Sequence, residues 1–280
     1  MEILQILING LLLGSVYALI GIGMTMILGI VGLTNLSHGE FVVLGAYAST
    51  LIVGMLGIDP VLTLVITVPF MFLLGYFLQF FLINHAMLRG SEPALLVTFS
   101  VSIILQDAML LLFSADARHT PTRYGTHILH FYGLNISVLN LVLFGISMAC
   151  VAVLTLFLRY TYMGRAIRAV SDDREVAMLS GIRVDKVYAV AMAIALSTAA
   201  VAGLCVGMKW TFYPTSGGSF LLIAFIVVVT GGMESTLGTL FAGFGFGFAQ
   251  VIGGANYGLL ISYAVMLLVL FITQRSRKEW

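Results

Sequence analysis

Apolar runs separated by short polar breaks fill almost the whole chain. A helix needs about 20 apolar residues to cross a hydrocarbon core. On that ruler the pattern predicts about nine segments, over residues 4–28, 41–56, 61–83, 94–113, 136–158, 187–208, 220–229, 237–252 and 257–273. The first is long enough to be broken or tilted. The second and seventh are short, which leaves open whether either is a straight span. The expected fold class is an all-α polytopic membrane protein with about eight or nine transmembrane helices, some broken or short. Residues 1–280 read as a single transmembrane domain.

One stretch departs from this pattern. Residues 159–188 hold Arg159, Arg165, Arg168, Asp172, Asp173, Arg174, Glu175, Arg183, Asp185 and Lys186, out of 13 basic and 12 acidic residues in the chain. So dense a polar island must sit in water, and it exceeds the two to eight or so residues that usually join neighbouring helices. Asp172, followed three residues later by Glu175, has the form of a capping box, with Ser171 and Asp173 as alternative caps. Val176, Met178 and Leu179 supply an apolar side. Gly181 suits the left-handed position that stops a helix. The reading is a short helix over about 173–180, lying across the membrane mouth with its acidic start matched to the helix dipole. The plainer alternative is a solvated loop carrying inside-positive charge.

Composition agrees with the spans. Charged residues make up 9% of the chain, against about 25% in soluble domains, and the mean hydropathy is +1.10. A net charge of +1 leaves no nucleic-acid footprint. Lys and Arg then assign sides. Alternating back from the tail places Arg89, the six basic residues of the island, Arg275, Arg277 and Lys278 on one side. Only Arg118, Arg123 and Lys209 fall on the other. The island and the C-terminus are therefore expected in the cytoplasm and, with nine crossings, the N-terminus outside. The opening Met-Glu-Ile-Leu-Gln lacks the basic region of a cleaved signal peptide, so the first span is expected to be retained.

A charge isolated at mid-membrane costs about 2.5–3.5 kcal/mol on insertion scales, so such groups line cavities or pair. Three places draw attention. The break at residues 29–40 carries three glycines with Asn35, Ser37, His38 and Glu40, which suggests unwound backbone facing a cavity. Its readings are a translocation-path or gate element and a helix cap at a membrane surface. Thr230, Gly231, Gly232 and Glu234 repeat the arrangement in the second half, hinting at an internal repeat. Gln106 and Asp107 lie within the fourth segment, and Asp107 is close enough to its outer end to reach the interface.

Other features have simpler readings. The spacings Gly10/Gly14/Ala18, Gly243/Gly247 and Gly254/Gly258 let helices approach closely, within the chain or against another subunit. The longest outer loop, 114–135, holds His119, His127 and His130 at an irregular spacing that matches no zinc pattern. It reads as structural or as a binding surface, with no metal site. Trp210, Phe212 and Tyr213 suit an interfacial belt. Cys150 and Cys205 read as packing residues within apolar runs.

No nucleophile or metalloprotease motif stands out. The three lysines follow Asp185, Met208 and Arg277, so there is no Gly-Lys pair and no P-loop. Energy for active transport would arrive from an ion gradient or from a partner gripping the island.

Several stretches together resemble one family. Asn9-Gly-Leu-Leu-Leu-Gly-Ser-Val-Tyr-Ala-Leu-Ile-Gly-Ile-Gly23 and Gly32-Leu-Thr-Asn-Leu-Ser-His-Gly-Glu40 resemble the opening of the branched-chain amino-acid ABC importer permeases, the LivH type. Gly164-Arg-Ala-Ile-Arg-Ala with Ala177-Met-Leu-Ser-Gly-Ile resembles their cytoplasmic coupling loop, and Gly231-Gly-Met-Glu-Ser-Thr-Leu-Gly-Thr-Leu their late Gly-Gly segment. The resemblance covers essentially the whole chain. It implies a permease subunit that forms the pathway for branched-chain amino acids or related small solutes in a bacterial inner membrane. It implies a second permease subunit, giving a heterodimer, two ATP-binding subunits and an extracytoplasmic solute-binding protein. The chain itself would hold no cofactor, ATP and Mg being bound by the ATPases. Asp172, Asp173, Glu175, Ala177, Leu179 and Gly181, within the 159–188 coupling loop, would transmit ATPase closure. The competing class is a secondary transporter acting alone, with Glu40 and Asp107 as proton or cation sites.

Overall fold

The computed structural model describes residues 2–131 and 134–277. Its elements are α1 (Glu2–Val31), α2 (His38–Leu56), α3 (Leu64–Phe77), α4 (Asn84–Met87), α5 (Ser91–Phe113), a hairpin of β1 (Ile128–Phe131) and β2 (Leu134–Ser137), α6 (Val138–Tyr160), α7 (Tyr162–Asp172), α8 (Arg174–Leu179), α9 (Val184–Lys209), α10 (Gly217–Gly231) and α11 (Thr236–Arg277). Among the described residues, eight helices are long and apolar enough to cross a membrane, and Tyr257–Val269 is a shorter apolar ninth. α3 and α4 belong to one span, Pro60–Met87, joined by a π-helical turn over Leu78–Ile83. α1 is one continuous helix, and α2 starts earlier than its apolar run, at His38.

Two helices form the centre. Every residue of α1 from Gly14 to Ile27 is buried, and α9 is buried on nearly all sides through its Ala- and Gly-rich second half. A helix apolar all round, with no polar stripe, belongs inside a bundle. Small residues let the neighbours close in on these two. A Cβ on Gly45 of α2 would stand 2.9 Å from the Cα of Ala200, and one on Gly75 of α3 would stand 2.9 Å from the carbonyl oxygen of Met192.

α1 and α11 run antiparallel with their backbones touching. A Cβ on Gly14 would lie 2.6 Å from the Cα of Phe244, and one on Gly243 would lie 2.5 Å from the Cβ of Ala18. The paired glycine spacings thus serve packing inside the chain. Two polar contacts hold the register: Tyr17 Oη donates to Gln250 Oε1, and the Thr25 and Thr239 hydroxyls share a hydrogen bond of 2.8 Å. The third glycine pair works differently. Gly254 adopts φ 65° and breaks α11, a conformation that favours glycine. The helix then folds back on itself, with the Ser262 hydroxyl donating to the Phe246 carbonyl at 3.2 Å and Tyr263 edge-on to Phe246.

The two ends of the bundle differ. At one end Gln5 of α1 exchanges two hydrogen bonds, of 2.8 and 2.9 Å, with the Asn135 backbone of the hairpin. His130 Nδ1 lies 2.6 Å from Asn135 Oδ1, so this histidine braces the strand pair that occupies part of the expected loop. Phe212, read as an interfacial residue, is instead fully buried, edge-on to Tyr47. At the other end lies the polar island, where Ser171 Oγ donates to the Gly29 carbonyl near the end of α1. Arg275 and Arg277 fall within α11, and Lys278 lies outside the described residues.

The α1–α11 contact is testable. Gly14→Leu has no room for its side chain, whereas Gly54 of α2 has no atom within 4 Å of a would-be Cβ. Overpacking costs about 1–3 kcal/mol. Thermal unfolding in detergent is expected to drop for Gly14→Leu and to stay near that of the parent for Gly54→Leu.

Candidate functional site

The first polar break forms a compact buried cluster at the start of α2. Asn35, Ser37 and His38 are fully buried and Glu40 is 4% exposed. Asn35 Oδ1 accepts from the Ser37 amide at 3.1 Å and from the Ser37 hydroxyl at 2.6 Å. This is an Asx turn, in which a side chain mimics a backbone turn and launches a helix. Asn35 Nδ2 faces the sulfur of Met192 on α9, and the Leu36 amide donates to Thr98 Oγ1 of α5 at 3.3 Å. His38 Nε2 lies 2.9 Å from the Ile20 carbonyl in the middle of α1; since a carbonyl only accepts, the Nε2–H donates. His38 Nδ1 and Glu40 Oε2 have no hydrogen-bond partner.

The depth of the cluster follows from these partners. Ile20 is 11 residues before the end of α1, about 16 Å at 1.5 Å per residue. Thr98 is seven residues in from the start of α5, about 10 Å at 1.5 Å per residue. The chain therefore leaves α1 at the island end, doubles back through residues 32–37, and starts α2 deep inside the bundle. The helix-cap reading survives as geometry, since Ser37 is the N-cap of α2, but the cap is not at a membrane surface.

A second helix starts at the same place. Gly39 and Gly217 touch backbone to backbone, and a Cβ on Gly217 would stand 2.6 Å from Glu40 Oε1 and 2.9 Å from the Glu40 amide nitrogen. The Glu40 carboxylate thus lies in the first turn of α2 and against the first turn of α10. Helix N-termini carry a positive partial charge and unpaired N–H groups that favour an anion. No Lys or Arg pairs with Glu40 among the described residues.

Thr98 and Gly217 of this site lie outside the residues singled out in the sequence. Thr98, Ser102 and Gln106 recur every four residues along α5, a polar row on an apolar helix that was the available signal. Gly217, one of two adjacent glycines before an apolar run, carried none.

The second polar break does not join this cluster. α10 ends at Gly231, Gly232 takes φ 95°, and Glu234 is exposed in the tight turn to α11. Thr230 Oγ1 is buried without a partner. This turn lies at the island end, where a Cβ on Gly29 would stand 3.0 Å from the Met233 carbonyl oxygen and 3.2 Å from the Glu234 Cα.

The island itself folds as two helices rather than one. α7 is amphipathic, burying Gly164, Ala166, Ile167 and Val170 and leaving Arg165 and Arg168 exposed. Asp172 closes this helix. The cap of α8 is Asp173, whose Oδ1 accepts from the Glu175 and Val176 amides at 2.8 and 3.0 Å. At the other end Ile182 N–H bonds to the Ala177 carbonyl at 3.1 Å and Gly181 N–H to the Met178 carbonyl at 3.0 Å, with Gly181 at φ 82°: a Schellman motif. Ala177 is buried and anchors the helix, while Val176, Met178 and Leu179 point outward, Leu179 being 89% exposed. Arg174 stacks on Tyr188 at 5.9 Å, which ties α8 to α9. A cavity of about 420 Å³ opens beside it, lined in part by Met87, Leu88, Met178, Ile182 and Tyr188.

Comparison with known proteins gives a consistent result. The family model for the permease component of branched-chain amino acid transport systems matches residues 6–273. The high-affinity branched-chain amino acid transport system permease protein LivH of Escherichia coli strain K12 is 32% identical over 96% of this chain and 93% of its own length. BraD of Pseudomonas aeruginosa, which bears the same description, is 30% identical over 95% of this chain and 92% of its own. A ribose import permease protein, RbsC of Haemophilus influenzae, is 28% identical over 91% and 80%. No solved structure matches the chain.

The contact between Gly217 and Glu40 defines a double-mutant cycle. Gly217→Ala is expected to lower the unfolding midpoint, and Glu40→Ala to relieve part of that loss. Groups in contact couple by about 0.5–3 kcal/mol. Denaturation of the two single variants and the double variant measures this; strictly additive effects would argue against the contact.

Proposed function

The chain belongs to the family of branched-chain amino acid transport permease components, and from that premise we propose that it forms the solute pathway of an importer driven by separate ATP-binding subunits. The substrates are branched-chain amino acids, as the names of LivH and BraD support. The weaker likeness to a ribose permease supports the pathway role rather than the ligand. A second permease chain completes the pathway, two ATP-binding subunits supply ATP and Mg, and an extracytoplasmic solute-binding protein delivers the ligand to the hairpin end. The island end and the C-terminus face the cytoplasm of a bacterial inner-membrane system.

One observation carries the coupling role: a short, doubly capped helix, α8, presents an apolar tip to solvent at the island end. A solvated connecting loop has no use for Leu179 at 89% exposure between two well-formed caps. Asp173 and Gly181 fix its ends, Asp172 closes the preceding helix, Ala177 fastens it to the bundle, and Glu175 and Leu179 meet the ATPase. Movement of α8 passes through α7, whose Ser171 holds the Gly29 carbonyl, to the end of α1 and the turn containing Gly231, Gly232 and Glu234. From there residues 32–37 lead to Asn35, Ser37, His38 and Glu40, which act as the gate.

A secondary transporter acting alone would need a membrane carboxylate exchanging with water. Glu40 is enclosed between two helix starts, and the family consists of permease components of larger systems. Neither favours that reading.

The test is leucine uptake into proteoliposomes holding the complete subunit set. Burying a Leu side chain is worth about 1.5–3 kcal/mol, and 1.4 kcal/mol is about tenfold. Leu179→Glu is therefore expected to reduce ATP-dependent uptake about tenfold or more while the chain still inserts and folds. Unchanged uptake would remove the coupling role, and accumulation by the purified chain alone would remove the importer class.

A further inference from the structure

We propose that the groove between α3 and α6 holds an acyl chain of an anionic phospholipid from the leaflet at the island end, with its phosphate set against Lys186. The site is independent of which solute is carried and of how import is powered.

α3 and α6 both stand against α9, and a cavity of about 500 Å³ opens between them. Val68 and Phe72 form one wall, Val153 and Phe157 the other, and Ser197 and Thr198 part of the floor. The two floor hydroxyls are engaged within their own helix. Ser197 Oγ donates to the Ala193 carbonyl and Thr198 Oγ1 to the Ala195 carbonyl, both at 2.8 Å. The lining is otherwise apolar, so the groove offers a polar solute no free donor. A hydrocarbon chain needs none, and it fills space whose walls would otherwise forfeit dispersion contacts.

Another helix fits this shape less well. Where α2 and α3 seat on α9 they do so through Gly45 and Gly75, because close approach of membrane helices favours small residues. The groove walls are bulky instead, with the floor recessed between them. That shape suits a slim, flexible chain.

Depth and charge identify the leaflet and the headgroup. Ser197 lies at the middle of α9. Lys186 is eleven residues before it, three turns away on the same face and about 16 Å along the axis. One leaflet of a hydrocarbon core about 30 Å thick is about 15 Å deep, so a chain whose tip lies at Ser197 brings its headgroup to Lys186. Lys186 is exposed, and its acidic neighbour Asp185 faces Arg183 at 4.0 Å. On the α6 side Arg168 donates to the carbonyl of Leu158, next to Phe157, and Arg159 follows. Neither α6 nor the span Pro60–Met87 contains an acidic residue. The mouth of the groove is therefore positive, and each basic residue near a membrane surface strengthens attachment to anionic lipid about fivefold.

The floor also backs the buried cluster. A Cβ on Gly23 of α1 would stand 2.6 Å from Thr198 Oγ1 and 2.8 Å from His38 Cε1. The outward positions of α3, such as Val65 and Phe70, are exposed to the membrane but line no groove, and they serve as the reference for ordinary lipid contact.

The test uses phosphatidylglycerol with a diazirine at the end of one acyl chain, at trace level in proteoliposomes of phosphatidylethanolamine holding the complete subunit set. After irradiation, adducts are expected to concentrate in residues 146–157 and 194–201, and excess unlabelled phosphatidylglycerol is expected to displace them. Lys186→Gln is expected to lower their yield about fivefold. Val153→Trp, which fills the groove from its α6 wall, is expected to lower it at least as much. Labelling of Val65 and Phe70 stays the same in both variants. Adducts spread evenly over the outward faces, equal labelling of the groove by phosphatidylethanolamine carrying the same diazirine, or a yield indifferent to either substitution would overturn the proposal.

Discussion

A carboxylate buried in an apolar bundle without a cation must be held by something other than an ion pair. For Glu40 that something is two helix beginnings together with the Ser102 side chain of α5. Its own helix places it in the first turn, and α10 starts against its side chain. The partial positive charge of one such end is worth about 0.3–1 kcal/mol at a surface and up to about 2 kcal/mol where partly buried, so two ends offset a penalty of the size expected for one charge inside a membrane. Much follows from that requirement. α2 has to begin deep in the bundle, so the chain has to double back after α1. Gly39 and Gly217 have to lack side chains so that the two starts can meet. His38 and Asn35 then fix the doubled-back segment to α1 and to α2 itself.

Such an arrangement is held firmly yet has few bonds to break. Residues 32–40, proposed as the gate, are anchored by side-chain contacts to α1, α5 and α9 rather than by a continuous helix, and two of their polar atoms are left without partners. A shift of α1 by a fraction of a helical turn would alter the His38 contact with Ile20 directly. The island is connected to this element mechanically: α8 is tied to α9 through Arg174 and Tyr188, α7 to the end of α1 through Ser171. Coupling between distant sites requires an element with two discrete arrangements that both ends can bias, and the doubled-back start of α2 has the form of one.

The parts of this molecule governed by composition and local chemistry could be read from the sequence. Span number and position followed from apolar runs, and Gly181 was legible as a helix stop because left-handed backbone favours glycine. Asp172 and Asp173 are adjacent and both good caps, so only the structure distinguishes them: the one ends α7, the other starts α8. α7 itself was hidden because its apolar residues, Ala166, Ile167 and Val170, are few and interleaved with charge. The similarity of the two polar breaks was misleading for a different reason. Both have glycines and an acid between apolar runs, but Glu40 is followed by a helix that starts inside the bundle, whereas Glu234 sits in a turn at its end. Depth is a tertiary property, and a local motif does not encode it.

We place the moving gate of the pathway at the break before α2. The most direct measurement is the reaction rate of a small water-soluble thiol reagent with Ser37→Cys in the assembled transporter, without nucleotide and again with ATP hydrolysis trapped. A moving gate gives rates that differ by about tenfold or more between the two states, since gating transitions move populations by at least that much. Equal rates, whether both fast or both negligible, would contradict it.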